Sequence, residues 1–410
     1  MRARRHRVAR RAQRGRWAWW LAAVPVLAWV VWAALDSPPA VSQSVAEARA
    51  ASKVPPRAEP AQPIRAPFSA AGLLARQAQR ALWQQRLDRA QGALDAFRHS
   101  TRYPQGSRPL RELADQAHPN EPVTEEHPLG KAGKGLDGVN LRTTQERVFV
   151  QGQESVRFTV SLRDNAGQVL PLRVVRASAR ELPPPNRGSL YPELPLVFND
   201  DGNAGDAVAG DGIYSTQLQP SAQGFADLFG QIRVEAVLQY RDQQGQTFFD
   251  IFFTPEAPAS WQGGVREAME DGSLSFYLPA NVRKAGRYVV TARVDDANGA
   301  PFALLRFNDE VAQGPQEFRL TLFGKLVRDA KPVFPLTVRD VDGFLLHEDS
   351  FPDRSLMPRL PGKVHVSQDH PLASFSDAEW NADERTRYLS ELSRDVVDAQ
   401  AQVDRLSTGR

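Results

Sequence analysis

The chain has 410 residues, 24% of them charged, with 31 Pro, 28 Gly and no Cys. That length holds two or three compact domains, and the Pro and Gly content points to turns, linkers and β-structure rather than one large helical body. The absence of Cys excludes disulfides, thiolate metal sites and cysteine nucleophiles, and it leaves the redox compartment open, because an oxidising periplasm permits disulfides without requiring them.

The net charge of +3 hides an asymmetry. Residues 1–16 form a basic arm with eight arginines (Arg2, Arg4, Arg5, Arg7, Arg10, Arg11, Arg14 and Arg16) and no acid, so removing them leaves the rest of the chain at −5. A pI of about 9.2 ordinarily raises nucleic-acid binding. Here the excess sits in one short arm directly before an apolar segment, which is the pattern of a topology signal, and no nucleic-acid partner is expected.

Residues 17–35 read WAWWLAAVPVLAWVVWAAL, without a charge. As a helix they span roughly 28 Å, close to a bilayer core. Trp17, Trp19 and Trp20 stand on the basic side and Trp29 and Trp32 toward the other, as indoles do at membrane interfaces. The expectation is an uncleaved signal-anchor helix in a bacterial inner membrane, with a cytoplasmic amino terminus, a periplasmic bulk and the lipid bilayer as partner. A cleaved signal peptide is the alternative, but its apolar core is usually shorter, and the tolerable small-residue site at Ala40 and Ser42 lies beyond Pro38 and Pro39.

Residues 36–68 are rich in Pro, Ala and Ser and read as a linker that cannot bury enough apolar area to fold. Residues 69–98 read as a membrane-proximal helix in which Trp83, Leu87, Ala90, Leu94 and Phe97 share one face. That face either packs on the body of the protein or forms a short coiled coil. From 99 to 139 Pro and Gly interrupt every periodicity, which predicts an extended loop.

Across 140–258 the period becomes two: Val156, Phe158, Val160 and Leu162 alternate with Arg157, Thr159 and Ser161. Turn chemistry follows at Arg163–Gly167 (RDNAG) and again at Arg241–Gly245 (RDQQG), after Ile232, Val234, Ala236 and Leu238. The segment reads as an antiparallel β-sandwich. Inside it, Phe198–Ser215 (FNDDGNAGDAVAGDGIYS) gathers four aspartates among four glycines with no basic residue. Carboxylates in one loop repel unless neutralised, and Ca²⁺ takes six to eight oxygens of this type. Asp200, Asp201, Asn203, Asp206 and Asp211 are the candidate ligands. The spacing is not that of an EF-hand. The competing reading is a connection in which Asp and Asn bond their own backbone.

This stretch resembles the signature of the choice-of-anchor X family of bacterial envelope proteins, in which DDG-x-x-GD-x-x-AGDG-[IV]-Y lies inside an immunoglobulin-like domain; Asp201–Tyr214 fit it when one leading Asp is counted at position 200. The resemblance extends over residues 140 to 350 and is absent from the anchor and tail. It implies an immunoglobulin-like fold and an envelope location, and it brings no established activity.

Across 260–350 a second sandwich is predicted, with Leu274, Phe276 and Leu278, then Tyr288, Val290, Ala292 and Val294, then Phe318, Leu320 and Leu322, then Phe334, Leu336 and Val338. Its turns are placed at Asp295–Gly299 (DDANG) and Asp340–Gly343 (DVDG). No long amphipathic helix intervenes, so the fold class is mainly β: two tandem immunoglobulin-like antiparallel sandwiches with an amino-terminal transmembrane helix and helical flanks. Residues 351–375 read as a linker. Residues 376–406 read as an amphipathic helix opened by a capping box at Ser376 and Glu379, with Leu389, Leu392, Val396, Ala399, Val403 and Leu406 as a seam. The seam either docks on the same chain, self-associates or binds a partner.

There is no H-E-x-x-H, G-x-S-x-G or phosphate-binding loop. His347, beside Glu348 and Asp349, reads as a solvated strand end, and Asp295 with Asp296 as hairpin residues that point apart, unlike a glycosidase pair. The expectation is a non-catalytic, membrane-anchored periplasmic scaffold or interaction protein with an envelope protein partner and calcium as the one cofactor under consideration. The alternatives are an envelope carbohydrate- or peptidoglycan-binding module, with Trp261, Tyr191 or Tyr277 as stacking faces, and a metal-dependent hydrolase using the acidic loop.

Overall fold

The structure is a computed structural model that describes residues 70–131, 134–185 and 187–408. The basic arm, the predicted anchor with its five Trp residues and the linker at 36–68 lie outside them. Among the described residues no helix is long and apolar enough to cross a membrane. Two compact units emerge, one helical and one built of antiparallel sheets.

The helical unit pairs α1 (Ala70–Ser100) with the carboxyl-terminal helix (Asp383–Thr408). Leu87 and Trp83 pack against Val396, Ala399 and Val403, and the Phe97 ring lies 5.8 Å from Tyr388. The two helices therefore run antiparallel. The seam residues Leu389, Leu392, Val396, Ala399, Val403 and Leu406 all lie buried or half-buried, so of the three open destinations this seam takes the one on its own chain. Arg385 closes the end of the pair, donating Nε–H to Thr101 Oγ1 at 3.1 Å. The helix starts at Asp383 rather than at 376. Ser376 does not cap it: its hydroxyl accepts from Ala378 N–H at 3.1 Å in a local turn well before the helix, and its backbone N–H donates to Gly272 O at 2.9 Å in the β-unit.

The first sandwich spans 123–254. One sheet runs Val123–Lys131, Lys134–Gln145, Val156–Asp164, the last also pairing with Val169–Leu170 and Ile213–Leu218. The other runs Phe149–Gln151, Gln243–Thr254, Gly230–Tyr240, Arg173–Leu182, Leu194–Leu196, antiparallel except where Phe149–Gln151 meets Phe252–Thr254. Val156, Phe158, Val160 and Leu162 are fully buried against Ile232, Val234, Ala236 and Leu238, as their alternation predicts. Ser161 is also buried, because strands cover it on both sides at Arg142 and Ile213.

The second sandwich spans 259–366. Its larger sheet runs Ser107–Pro109, Pro301–Val311, Gly286–Asp295, Thr337–Leu346, with Arg354–Leu356 and Leu360–Val366 both pairing with the last of these. Facing it, Ser273–Val282 bonds to Ala259–Trp261, Arg266–Glu270 and Gly314–Leu322. A short helix, α2 (Gly324–Ala330), follows; the carboxyl-terminal helix is α3. Tyr288, Val290, Ala292 and Val294 face Phe276, Phe318 and Leu320 in one core.

Three boundaries move. The predicted loop at 99–139 instead holds the first hairpin of the first sandwich, from Val123, and a strap that docks on the second: Tyr103 is buried in that core and donates its hydroxyl to Asp329 at 2.9 Å. The predicted linker at 351–375 belongs to the second sandwich, since it carries two strands and buries Met357 and Phe375. The DVDG sequence is not a turn between strands but a bulge within Thr337–Leu346, with Asp340 at φ 49°. At RDQQG the turn falls on Arg241 and Asp242. Gly245 sits in the strand, where a Cβ would meet the Leu129 side chain at 2.4 Å.

The sandwiches are joined by direct contacts. Leu356 N–H donates to Thr254 Oγ1 at 3.2 Å, Arg359 donates to Phe149 O and pairs with Glu154 at 3.5 Å, and the Phe351 ring meets Phe252 edge-on at 5.5 Å.

The chain leaves the second sandwich under a buried carboxylate. Glu267 Oε1 accepts from Gln368 N–H at 2.8 Å and His370 Nε2 at 3.1 Å, and Oε2 from His365 Nε2 at 3.0 Å. Burial pushes its carboxyl up, but the Gln368 amide and the two imidazoles together hold it below the ordinary value. A depressed folded-state value gives stability that is present above the unfolded value of about 4.3 and lost as pH falls through the folded one. Glu267→Gln is therefore expected to cost roughly 2 kcal/mol at pH 6, as charge-assisted hydrogen bonds do, and to narrow its gap to the parent protein below pH 4 in urea denaturation.

Candidate functional site

The acidic loop connects the two sheets of the first sandwich, leaving Leu194–Leu196 and entering Ile213–Leu218. Its base is closed by a reciprocal pair of backbone hydrogen bonds between Asn199 and Ser215, each 2.8 Å. Between them the chain reverses through glycines. At Gly212, φ is +75° and a Cβ would meet Val169 Cγ1 at 2.4 Å, so both conformation and space require glycine there.

Each acid has a distinct task. Asp200 reaches along the loop: Oδ1 accepts from Gly210 N–H at 2.8 Å and Asp211 N–H at 3.1 Å, and Oδ2 from Gly212 N–H at 3.1 Å. Asp206 is 9% exposed, with Oδ2 accepting from Gly202 N–H at 2.7 Å and Oδ1 from the Ser215 hydroxyl at 3.4 Å. Asp211 Oδ1 accepts from Ile213 N–H at 2.8 Å. Asp201 and Asn203 build their own turn: Asp201 Oδ1 accepts from Asn203 N–H at 3.0 Å, and Asn203 Nδ2 donates to Asp201 O at 3.2 Å.

Of the five predicted ligands, three converge. Asp200, Asp206 and Asp211 each place a carboxylate oxygen within 4.8 Å of the others. Beside them opens a depression of about 190 Å³, whose walls include Glu146, Arg157, Asp206, Asp211 and Ser215. Arg157 donates Nη1–H to Gly205 O at 3.5 Å on this rim. Ionised carboxylates are acceptors only, so the arrangement suits a hard cation whose remaining ligands are carbonyls and water. The same carboxylates already satisfy the loop's own amides.

The other side chains raised by the sequence are engaged elsewhere. His347 is half-buried rather than solvated, bonds through Nε2 to Ser355 Oγ at 2.8 Å, and meets Phe229 edge-on. Burial, helped by the Lys284 charge, lowers its pKa. Ser355 is itself buried. Asp295 pairs with Arg339 Nε at 2.5 Å, while Asp296 caps Asn298 and Ala300 N–H. The Tyr277 ring is covered by the Arg266 guanidinium at 3.6 Å, Trp261 donates to Pro358 O at 2.7 Å, and Tyr191 packs on Phe225.

One organising residue escapes sequence reasoning. Glu181 is buried at the end of its strand, and it accepts from Arg187 Nη2 at 3.1 Å, from the Ser189 hydroxyl at 3.1 Å and from Leu190 N–H at 2.7 Å. It holds together a proline-rich loop from which Leu190 projects, 72% exposed. The one signal present was a glutamate directly before Leu182 and three prolines.

No family model matches the sequence, and no curated protein matches it. Among solved structures, the chain is similar to a DUF4785 family protein from Legionella pneumophila, with 12% identity, a TM-score of 0.37, and coverage of 56% of this chain and 57% of that one. It is also similar to E. coli alpha-2-macroglobulin, with 12% identity, a TM-score of 0.27, and coverage of 58% of this chain and 15% of that one. The chain thus spans little more than half of the first protein and a small part of the second, and likenesses this distant assign it no function.

Proposed function

We propose that the chain is a non-catalytic scaffold or interaction protein of the bacterial envelope, of the choice-of-anchor X type, whose two sandwiches are immunoglobulin-like. In this reading residues 17–35 anchor it in the inner membrane, residues 36–68 are a spacer, and the described units stand in the periplasm and engage an envelope protein. The observation that carries the reading is the self-sufficiency of the acidic loop. Asp200 accepts three amides of its own loop and Asp206 is buried under two donors, which suits a rigid projection on a sandwich. The contacts of Arg359 and Phe351 that join the sandwiches support a presenting surface in the same way. Protease added to spheroplasts is expected to digest the β-unit and spare the arginine arm, and cross-linking in intact cells to recover an envelope protein. A protected β-unit, or cross-linking that recovers none, ends this reading.

A second reading has its own support: the convergence of Asp200, Asp206 and Asp211 favours a structural calcium ion that stiffens the loop. Calorimetric titration of the protein with Ca²⁺ is expected to give heat and a rise in melting temperature, both lost in Asp206→Asn. At calcium a hundredfold above its Kd the stabilisation is about 2.7 kcal/mol. Absence of heat and of any melting shift removes the ion and leaves the scaffold reading standing.

A further inference from the structure

One short stretch of the second sandwich makes the joint with the first. After the strand Thr337–Leu346 the chain runs through Arg354–Leu356, and on the way it gives the first sandwich the Leu356 amide, the Phe351 ring and the Arg359 guanidinium, with the Arg354 guanidinium 5.2 Å from the centre of the Phe149 ring as a fourth contact. His347 opens this stretch. Its ring centre stands 5.8 Å from that of Phe229, the residue before Gly230–Tyr240 of the first sandwich, while its Nε2 bonds Ser355 Oγ at 2.8 Å and its backbone N–H donates to Asp353 O at 2.6 Å. Ser355 is 5% exposed, which closes this Ser–His pair to any substrate, and the residue after it is Leu356, whose amide crosses to Thr254. One imidazole therefore touches both sides of the joint.

The surroundings of that ring favour its neutral form. Burial takes away the water an imidazolium needs, and the Lys284 ammonium, on the turn between Ser273–Val282 and Gly286–Asp295, repels it; both lower its pKa, and the Asp353 charge opposes them. Asp353 is a weak counter-ion because both of its carboxylate oxygens accept from Arg354, at 2.8 Å each. Glu348, next in the chain, is exposed and pairs with Arg287 at 3.3 Å. From the first sandwich the group in contact is the Phe229 ring, which brings no charge. Opening the joint returns the imidazole to water, where its ordinary value is about 6.5. A value lowered in the closed joint means that closure has its full support above that pH and loses it as pH falls through the lowered value.

We propose that His347 makes the joint between the sandwiches sensitive to pH: the neutral imidazole keeps it packed, and protonation loosens residues 351–357 from the first sandwich. This assignment goes beyond the scaffold reading and stands without it.

Amide hydrogen exchange of the full chain in detergent, corrected for the chemical rate at each pH, compares pH 7.5 with pH 5. The lower value stays above the range in which the Glu267 carboxylate is lost, so the contacts of that carboxylate hold throughout. Protection over 351–357 is expected to fall roughly tenfold in the parent chain, while Gly286–Asp295 and Gly230–Tyr240 keep theirs. His347→Gln and His347→Phe put no titrating group there, and in each the ratio of protection between the two pH values is expected to stay within about twofold of one. The ratio is read within one variant, so a substitution that weakens the joint at both pH values still reports. Lys284→Gln changes an exposed residue and is expected to shrink the fall, because it removes the charge that repels the imidazolium. The proposal is overturned if the parent chain keeps its protection at pH 5, if the two His347 variants lose theirs as the parent does, or if Lys284→Gln leaves the fall unchanged.

Discussion

Gly324→Ala is expected to destabilise the β-unit by about 3 kcal/mol, at the upper end of what overpacking costs. A Cβ on Gly324 would stand 2.0 Å from Gly272 O and 2.8 Å from Ser376 N, and both are backbone atoms that no rotamer change can move aside. Three segments cross there: the start of Ser273–Val282, the first residue of α2, and the point where the chain leaves the second sandwich. They are tied by Ser376 N–H to Gly272 O at 2.9 Å and by Gly324 N–H to the Ser273 hydroxyl at 3.1 Å. Opening the crossing for one methyl group therefore breaks hydrogen bonds as well as packing. Gly188→Ala is the control, since nothing lies within 4 Å of its Cβ position, and it is expected to stay within about 0.5 kcal/mol of the parent. Equal denaturant midpoints for the two variants would show that the crossing is not closely packed.

The parts of this fold that were legible in the sequence are those whose causes are local. Tyr288, Val290, Ala292 and Val294 alternate because each second residue of a strand meets the core, and all four are fully buried. The RDNAG turn was legible because Asp164 bonds the amides of Ala166 and Gln168, within four residues of itself. The same holds at the candidate site: a loop of Asp and Gly announces carboxylates and tight turns. Which carboxylates converge was not announced, because that depends on where Gly202, Gly210 and Gly212 aim their N–H groups. Asp201 and Asn203 looked equivalent to their neighbours and spend themselves on one turn. Long-range partners were not legible at all. Tyr103 meets Asp329 across 226 positions, and nothing near Tyr103 records it.

The strap carries the other large expected effect. Arg293→Met is expected to cost about 3 kcal/mol and to free residues 103–117, read as faster amide hydrogen exchange there while the strands of the first sandwich keep their protection. The Arg293 guanidinium is 3% exposed. It donates to Gln116 O at 2.9 Å and to Asp340 O at 2.8 Å, and it pairs with Asp342. Methionine fills much of the volume but leaves two carbonyls without donors and a carboxylate without its cation. Asp342 keeps 38% of its side chain in water and the Thr291 hydroxyl at 2.7 Å, which holds the loss to the lower end of what breaking a buried pair costs. Arg339, which donates to Ala117 O at 3.0 Å, secures the next carbonyl and so limits the release to a loosening rather than a complete detachment. Arg293→Lys is expected to recover only part of the stability, because a single ammonium cannot reach both carbonyls and the carboxylate at once. Unchanged exchange over 103–117 in Arg293→Met would mean that Leu110, Leu113 and Ala117 hold the strap through their apolar contact with Leu304, and that the arginines serve the sheet rather than the strap.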